Sequence, residues 1–308
     1  MNSLFFNYSI LRIIYFYSLG KEFLMNIIIF GCGQGGQTVR NLLAGSVRIL
    51  AFADNNPQTW GKEYEGVPVI SPVQIPQMDP DLVWIAIKNP TAASSVLSQL
   101  QELGYTGPVQ NLSPLLDQID FRLATIRLLA EEIRQRCLPG EIAELGVHRG
   151  DSARELNRLF PERKLYLFDT FQGFPEKALA AEAERNPSAQ WKDAFRDTSV
   201  SQVLEQLPYP EQAVICAGYF PDSLPSALPR FAFVHLDPDL YESVAQGLRI
   251  FWPLLVCGGV IFVHDYRSLQ FPGAGQAVKE FCREHRLTPL PLPDLHGSAL
   301  LIKQSEDC

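Results

Sequence analysis

The sequence predicts an α/β protein with two mainly parallel sheets in tandem, the smaller one first. Three observations carry this expectation. Apolar runs of strand length alternate with stretches of helical spacing along most of the chain. Most of those runs end in glycines or carboxylates, the groups that gather at the carboxyl ends of strands in open α/β sheets. The alternation stops once, over residues 113–140, and then resumes, which divides 308 residues into two units of ordinary size.

Composition narrows the classes. The net charge of -8, spread without segregation, gives no electrostatic reason to expect nucleic acid or an anionic membrane as partner. Cys32, Cys137, Cys216, Cys257, Cys282 and Cys308 show no paired spacing, and several sit in apolar runs. Buried thiols in a reducing cytoplasm are therefore expected rather than disulfides or zinc. Residues 1–24 are rich in Phe, Ile, Leu and Tyr but are interrupted by Arg12 and lack a basic start and a cleavage site, so no membrane span is expected there. Met25 is expected to be the true start, with residues 1–24 a mis-assigned or disordered leader. Lys21-Glu22 can be encoded as AAGGAG, a purine-rich ribosome-binding sequence just upstream of Met25.

Residues 25–112 read as the first domain. Met25 to Phe30 is a strand that feeds Gly31-Cys-Gly-Gln-Gly-Gly36, and Thr38 to Leu43 continues as a helix. Gly31, Gly33 and Gly36 fit the spacing that lets a backbone turn tightly and approach a phosphate at a helix N-terminus. A second strand, Val47 to Ala53, ends in Asp54, about where a ribose-binding carboxylate falls. A strand over Leu82 to Ile87 and a helix over Thr91 to Leu103 complete a Rossmann-like unit, too short for a full dinucleotide domain. It resembles the small N-terminal domains of sugar-modifying enzymes through its glycine loop, Phe52-Ala-Asp-Asn-Asn-Pro57 and Gly66-Val-Pro-Val-Ile-Ser71. That resemblance implies a nucleotide-sugar site or a degenerate fold used for packing or for joining subunits.

Ser113 to Cys137 reads as one linker helix, stopped by Pro139-Gly140, so residues 113–140 separate the domains. From residue 141 to 308 the alternation resumes. Strands are expected over Ile142 to Val147, Lys164 to Phe168, Ala213 to Ala217, Phe231 to Leu236, Val260 to Val263 and Ala299 to Lys303. Helices are expected over Ser152 to Leu159, Tyr241 to Leu255 and Gly275 to His285. The polar stretch between Gln172 and Val200 is long enough to serve as a lid.

Two constellations could carry chemistry. Glu144-Leu-Gly-Val-His-Arg-Gly150 lacks the dinucleotide spacing, which suits a ligand without a pyrophosphate, such as S-adenosylmethionine. Gly146 and Gly150 would let the backbone approach its methionine part, and Asp169 would accept from its ribose diol. Asp237, Asp239 and Asp265 all follow apolar strands and should converge at one sheet edge. Carboxylates gathered there repel unless a proton or cation intervenes, and an oxygen-rich site suits Mg²⁺. Asp239 has a second reading as a plain cap for the helix at Tyr241.

Six stretches then carry a resemblance to the macrocin (tylosin-pathway) family of sugar O-methyltransferases. They are Glu144-Leu-Gly-Val-His-Arg-Gly-Asp-Ser152, Phe168-Asp-Thr-Phe-Gln-Gly-Phe-Pro-Glu176, Gly218-Tyr-Phe-Pro-Asp-Ser-Leu-Pro225, His235-Leu-Asp-Pro-Asp-Leu-Tyr-Glu-Ser243, His264-Asp-Tyr266 and Pro272-Gly-Ala-Gly-Gln-Ala-Val278. The resemblance implies a class I methyltransferase fold, a small sugar or glycoside as substrate, and S-adenosylmethionine and Mg²⁺ as cofactors. Glu144, Gly146, Gly150, Ser152 and Asp169 fall on the donor side. Asp237 matches the family's first metal ligand, Asp265 another, and Asp239 its proposed general base. Relatives carry two adjacent acids where this chain has His264-Asp265, and Pro238 replaces a usual glycine. His264 in the metal set leaves open a weaker Mg²⁺ site, a transition ion, no metal, or a base. The remaining histidines, His148, His235, His285 and His296, are expected to be structural or on the surface.

The leading expectation is an S-adenosylmethionine-dependent O-methyltransferase acting on a glycoside, nucleotide sugar or polysaccharide precursor, with room for a homo-oligomer. A non-catalytic sugar-nucleotide binder with a decayed metal site, and an NAD-linked enzyme using the first glycine loop, are carried beside it.

Overall fold

The computed structural model describes residues 25–43, 45, 47–185, 191 and 194–304. The expectation for the leader at residues 1–24 lies outside them. The chain forms two compact units, residues 1–119 and 120–308.

In the first unit, the described residues form a six-stranded sheet of order β3-β4-β2-β1-β5-β6. Its strands are β1 (Met25–Phe30), β2 (Val47–Ala53), β3 (Glu63–Tyr64), β4 (Val67–Ile70), β5 (Leu82–Ile85) and β6 (Val109–Asn111). All neighbours are parallel except β3 and β4. Ile28 and Phe30 face one apolar cluster and Ile27 and Ile29 the other, as a strand covered on both faces requires. Helix α1 (Gln34–Leu42) leaves the glycine turn after β1.

The single linker helix expected from the sequence is two helices, Ser113–Gln118 and Phe121–Gln135. The break has a local cause. Asp120 adopts extended backbone and its carboxylate accepts the Leu123 N–H at 2.8 Å, capping the second helix. That second helix belongs to the larger unit, where Ile126, Ala130 and Ile133 pack on one face of the sheet.

The larger unit holds, among the described residues, a seven-stranded sheet of order β12-β13-β11-β10-β7-β8-β9. Here β7 is Glu141–Leu145, β8 Leu165–Asp169, β9 Ala213–Ala217, β10 Phe231–Leu236, β11 Leu255–Val263, β12 Leu290–Pro291 and β13 Ala299–Ile302. Strands β7 to β11 run parallel, and β13 runs antiparallel to β11. The chain builds outward from β7 through β8 to β9, then crosses to β10 on the other side. That reversal opens a crevice at the carboxyl ends of β7 and β10. One sheet face packs on helices Tyr241–Leu254 and Pro272–His285, through Val244, Leu248, Phe251 and Val278. The polar stretch after Gln172 contains helix Glu176–Arg185, and helix Val200–Gln206 follows it.

The cysteines depart from expectation at one place. Cys32, Cys216 and Cys282 are buried free thiols and Cys137 an exposed one, but Cys257 is disulfide-bonded. Its apolar neighbourhood in sequence misled. Cys257 lies in the first half of β11, and its side chain is exposed. No described helix is long and apolar enough to cross a membrane.

Candidate active site

The crevice of the larger unit is a cavity of about 420 Å³. One wall is the turn Gly146 to Arg149 after β7, together with Ser152, Asp169 and Thr170. The opposite wall is Asp237, Asp239, His264, Asp265 and His296. Phe174, Pro175, Ala178 and Phe195 contribute a third, from the stretch read as a lid.

The turn is held by the next strand. Asp169, the last residue of β8, accepts the N–H groups of Val147 (2.7 Å) and His148 (2.9 Å) on one oxygen and that of Phe171 (2.7 Å) on the other. The carboxylate expected to meet a ribose diol therefore also fixes the backbone around the ligand space. Gly146 has φ +89°, and a Cβ there would stand 2.2 Å from the carbonyl oxygen of Asp237. Only glycine lets the ends of β7 and β10 approach this closely.

Glu144 and Gly150 lie elsewhere than expected. Glu144 is fully buried and does not line the cavity. Side chains alternate along β7, so Glu144 stands on the sheet face away from Leu145, opposite His235 in the register. Its Oε1 accepts from Ser152 and pairs with His235 Nδ1 at 2.8 Å. Gly150 sits behind the turn, facing Val203. Ser152 reaches the cavity wall while donating to Glu144.

The acids do converge. One ligand oxygen from each of Asp237, Asp239 and Asp265 can lie within 4.8 Å of the others. Asp239 and Asp265 both hold left-handed backbone, φ +61° and +59°, a conformation Asp tolerates better than most side chains. Asp239 does not cap the following helix, whose N-cap is Leu240. Glu182, from helix Glu176–Arg185, does that instead, accepting the Tyr241 N–H at 3.0 Å.

Charge in this cluster is strongly redistributed. Burial, then the charges of Asp265 and Asp237, push Asp239 well above its ordinary value. Burial also acts to raise Asp237 and Asp265, but the His264 charge and hydrogen bonds outweigh it and hold both below the ordinary value. His264 is held well above the usual imidazole value: burial opposes this, and Asp237 and Asp265 win. Its Nδ1 lies 2.7 Å from Asp237 and 2.9 Å from Asp265.

Sequence reasoning missed two cavity residues that touch the acids. Arg122, in the first turn of helix Phe121–Gln135, donates to Asp237 Oδ2 at 2.8 Å. His296 Nδ1 lies 3.2 Å from Asp265 Oδ1. The antiparallel β13 supplied a signal for His296: Ala299 pairs with Val263, so residues just before β13 must meet those just after β11.

In the first unit, Asp54 repeats the Asp169 arrangement. Its Oδ2 accepts the Cys32 N–H at 2.9 Å and its Oδ1 that of Asn56 at 2.9 Å. Gly33 is the N-cap of α1, and a Cβ on Gly36 would stand 1.9 Å from the Gly31 oxygen. Gly31, Gly33, Gly36 and Asp54 are thus one turn.

The comparisons with known proteins fall on the same two units. The family described as macrocin-O-methyltransferase (TylF) matches residues 118–301, and the family described as C2185-like, N-terminal, matches residues 23–107. Demethyldecarbamoylnovobiocin O-methyltransferase of Streptomyces niveus is 28% identical over 171 residues, 52% of this chain and 64% of its own. A tetracenomycin 4'-O-methyltransferase of Streptomyces olivaceus, acting on a dimethoxyrhamnosyl derivative by its name, is 30% identical over 156 residues, 47% of this chain and 60% of its own. The matches thus span under two thirds of either curated relative. The solved O-methyltransferase NovP superposes with a TM-score of 0.51 at 22% identity, covering 69% of this chain and 94% of NovP. CalS11, a calicheamicin methyltransferase, gives 0.50 at 19% identity, covering 70% and 94%. At such identities these structures speak for the α/β fold alone.

Proposed function

Because the chain belongs to the macrocin O-methyltransferase family, we propose that it transfers a methyl group from S-adenosylmethionine to a hydroxyl of a sugar-bearing small molecule. The observation that carries this is a cavity with the glycine turn on one wall and the three acids on the other. The donor would lie against Gly146 to His148, near Asp169 and Ser152, and would supply an electrophilic methyl. Asp237, His264 and Asp265 would hold a divalent cation that lowers the basicity of the acceptor oxygen. The donor set fits a cation because Asp237, Asp239 and Asp265 each bring an oxygen within 4.8 Å of the others, with His264 beside them.

Asp239 is the proposed base. Burial and the neighbouring acids raise its proton affinity, which suits removal of a hydroxyl proton. Asp239 would take up the hydroxyl proton as the acceptor oxygen is methylated. Arg122 holds Asp237 in place. Phe174 and Phe195 line the cavity and would shield a bound donor from water. The unit at residues 25–112 would recognise the carrier of the sugar.

Incubation with labelled S-adenosylmethionine and a panel of deoxysugar and hexuronate glycosides tests the proposal. Transfer that depends on Asp239 is expected. No transfer to any acceptor with Mg²⁺, Mn²⁺, Co²⁺ or Zn²⁺ present would sink it.

A further inference from the structure

We propose that the cation of this cavity is a transition-series ion held on its nitrogen side, by His264, Asp265 and His296, rather than Mg²⁺ among the carboxylates. The inference rests on the methyl-transfer reading above and moves one ligand, from Asp237 to His296.

Two donor groups share Asp265. One is Asp237, Asp239 and Asp265; the other is His264, Asp265 and His296, whose ligand atoms also come within 4.8 Å of one another. The second group is set by topology. His264 and Asp265 follow β11, and His296 precedes β13, its antiparallel neighbour. The two imidazole rings stand 4.7 Å apart, tilted by 37°, with Asp265 bridging them at 2.9 and 3.2 Å. Asp265 itself is buried, so its orientation is fixed by packing.

What separates the groups is what already holds each carboxylate: both oxygens of Asp265 are taken by the two imidazoles that would join it as ligands, whereas Asp237 is also held by a guanidinium that cannot ligate a cation. Asp237 has Arg122 on one oxygen at 2.8 Å and His264 on the other at 2.7 Å. A cation seeking three oxygens must compete with a guanidinium for that carboxylate. A cation on the histidine side leaves the Arg122 pair intact and leaves Asp239 to act as base. Donor chemistry points the same way. Mg²⁺ demands oxygen in near-ideal octahedral geometry and gives up water reluctantly. Two imidazoles and one carboxylate suit Mn²⁺, Fe²⁺, Co²⁺ or Zn²⁺, with open positions left for an acceptor oxygen.

The test is metal binding by the full chain after removal of metal with a chelator. Co²⁺ is titrated by its visible absorption, whose bands shift as the ion leaves water for protein ligands, and Mg²⁺ is added as competitor. One Co²⁺ per chain is expected, with less than half displaced by a hundredfold excess of Mg²⁺. His296→Ala is expected to weaken Co²⁺ roughly tenfold or more and to leave Mg²⁺ binding unchanged. His264→Asp, which restores an adjacent acid pair, is expected to turn the preference toward Mg²⁺. Circular dichroism of both variants confirms that they fold. Displacement of Co²⁺ by equimolar Mg²⁺, or Co²⁺ affinity within twofold of wild type in His296→Ala, would overturn the assignment. Calorimetry with S-adenosylmethionine on the same samples keeps the two claims apart. Donor binding with the wrong metal preference defeats only this inference; absent donor binding defeats the methyl-transfer reading.

Discussion

Gly146→Ala probes the packing on which the proposed site depends. Alanine at φ +89° costs about 1–2 kcal/mol for its left-handed backbone. Its Cβ would also stand 2.2 Å from the Asp237 carbonyl oxygen and 2.5 Å from the carbonyl carbon. Carbon–oxygen contacts of this kind settle near 3.3–3.6 Å, so one backbone must retreat by about 1 Å. Overpacking on that scale adds about 1–3 kcal/mol. The sum, about 2–5 kcal/mol, lowers the melting temperature by roughly 5–20 °C for a unit of this size. Asp237 moves with the retreat, and a shift of that order costs about 10²-fold in rate. Thermal melts, kcat and metal titration measure the three effects. Gly150→Ala is the control: it shares the positive φ, but its new Cβ meets only the Val203 side chain at 3.1 Å, so only the backbone cost is expected. A Gly146→Ala protein that melts within 2 °C of wild type and keeps its kcat would refute the claim that this contact sets the position of Asp237.

Three further outcomes are expected. Asp239→Asn removes one of three mutually repelling acids, so transfer should fall by about 10²–10⁴-fold while the melting temperature holds or rises; a variant with wild-type kcat rules Asp239 out as base. Glu144→Ala leaves His235 and Ser152 without their shared acceptor, and urea midpoints should report a loss of about 2–4 kcal/mol. Hydrogen bonds from Arg158 and then Arg127, against the opposing effect of burial, hold Glu155 at about 2, down from 4.5. A depressed carboxylate stabilises the fold fully above its unfolded pKa and loses that effect as pH falls through the folded one. Both arginines are more than half exposed, which discounts the effect to about 1–2 kcal/mol. Glu155→Gln should therefore be weaker by that amount at pH 7 and level with wild type near pH 2; a gap that does not narrow between pH 4.5 and 2 contradicts this account.

The α/β class and most of the strands were legible because buried parallel strands read as unbroken apolar runs. Ala213–Ala217 and Phe231–Leu236 match their expected bounds residue for residue. The two-residue strands β3 and β12 were missed, being too short to show a period. The helix break at Asp120 was missed because helical spacing continues across it. At the site, Asp237, Asp239 and Asp265 could be found because each follows an apolar strand. Glu182 could not, since its partner, the Tyr241 N–H, is a backbone group far away in sequence. Arg122 follows the same rule: its tie to Asp237 spans 115 positions and leaves no local pattern. Glu144 lay in the matching motif, but one step of strand parity sends it behind the sheet.

The grip of Asp169 on the amides of Val147 and His148 also bears on how a ligand arrives. A glycine turn left to itself samples many shapes, and fixing one costs about 1–2 kcal/mol per residue. Here folding has already met that cost, because the carboxylate buckles the turn to the neighbouring strand before anything enters. The donor should accordingly dock with a small entropic penalty, and donor affinity should respond to Asp169→Asn more than the contacts of that side chain with the donor alone would suggest. Asp54 fastens the first unit's turn at Cys32 in the same manner, so the same buckle recurs in both halves of the chain.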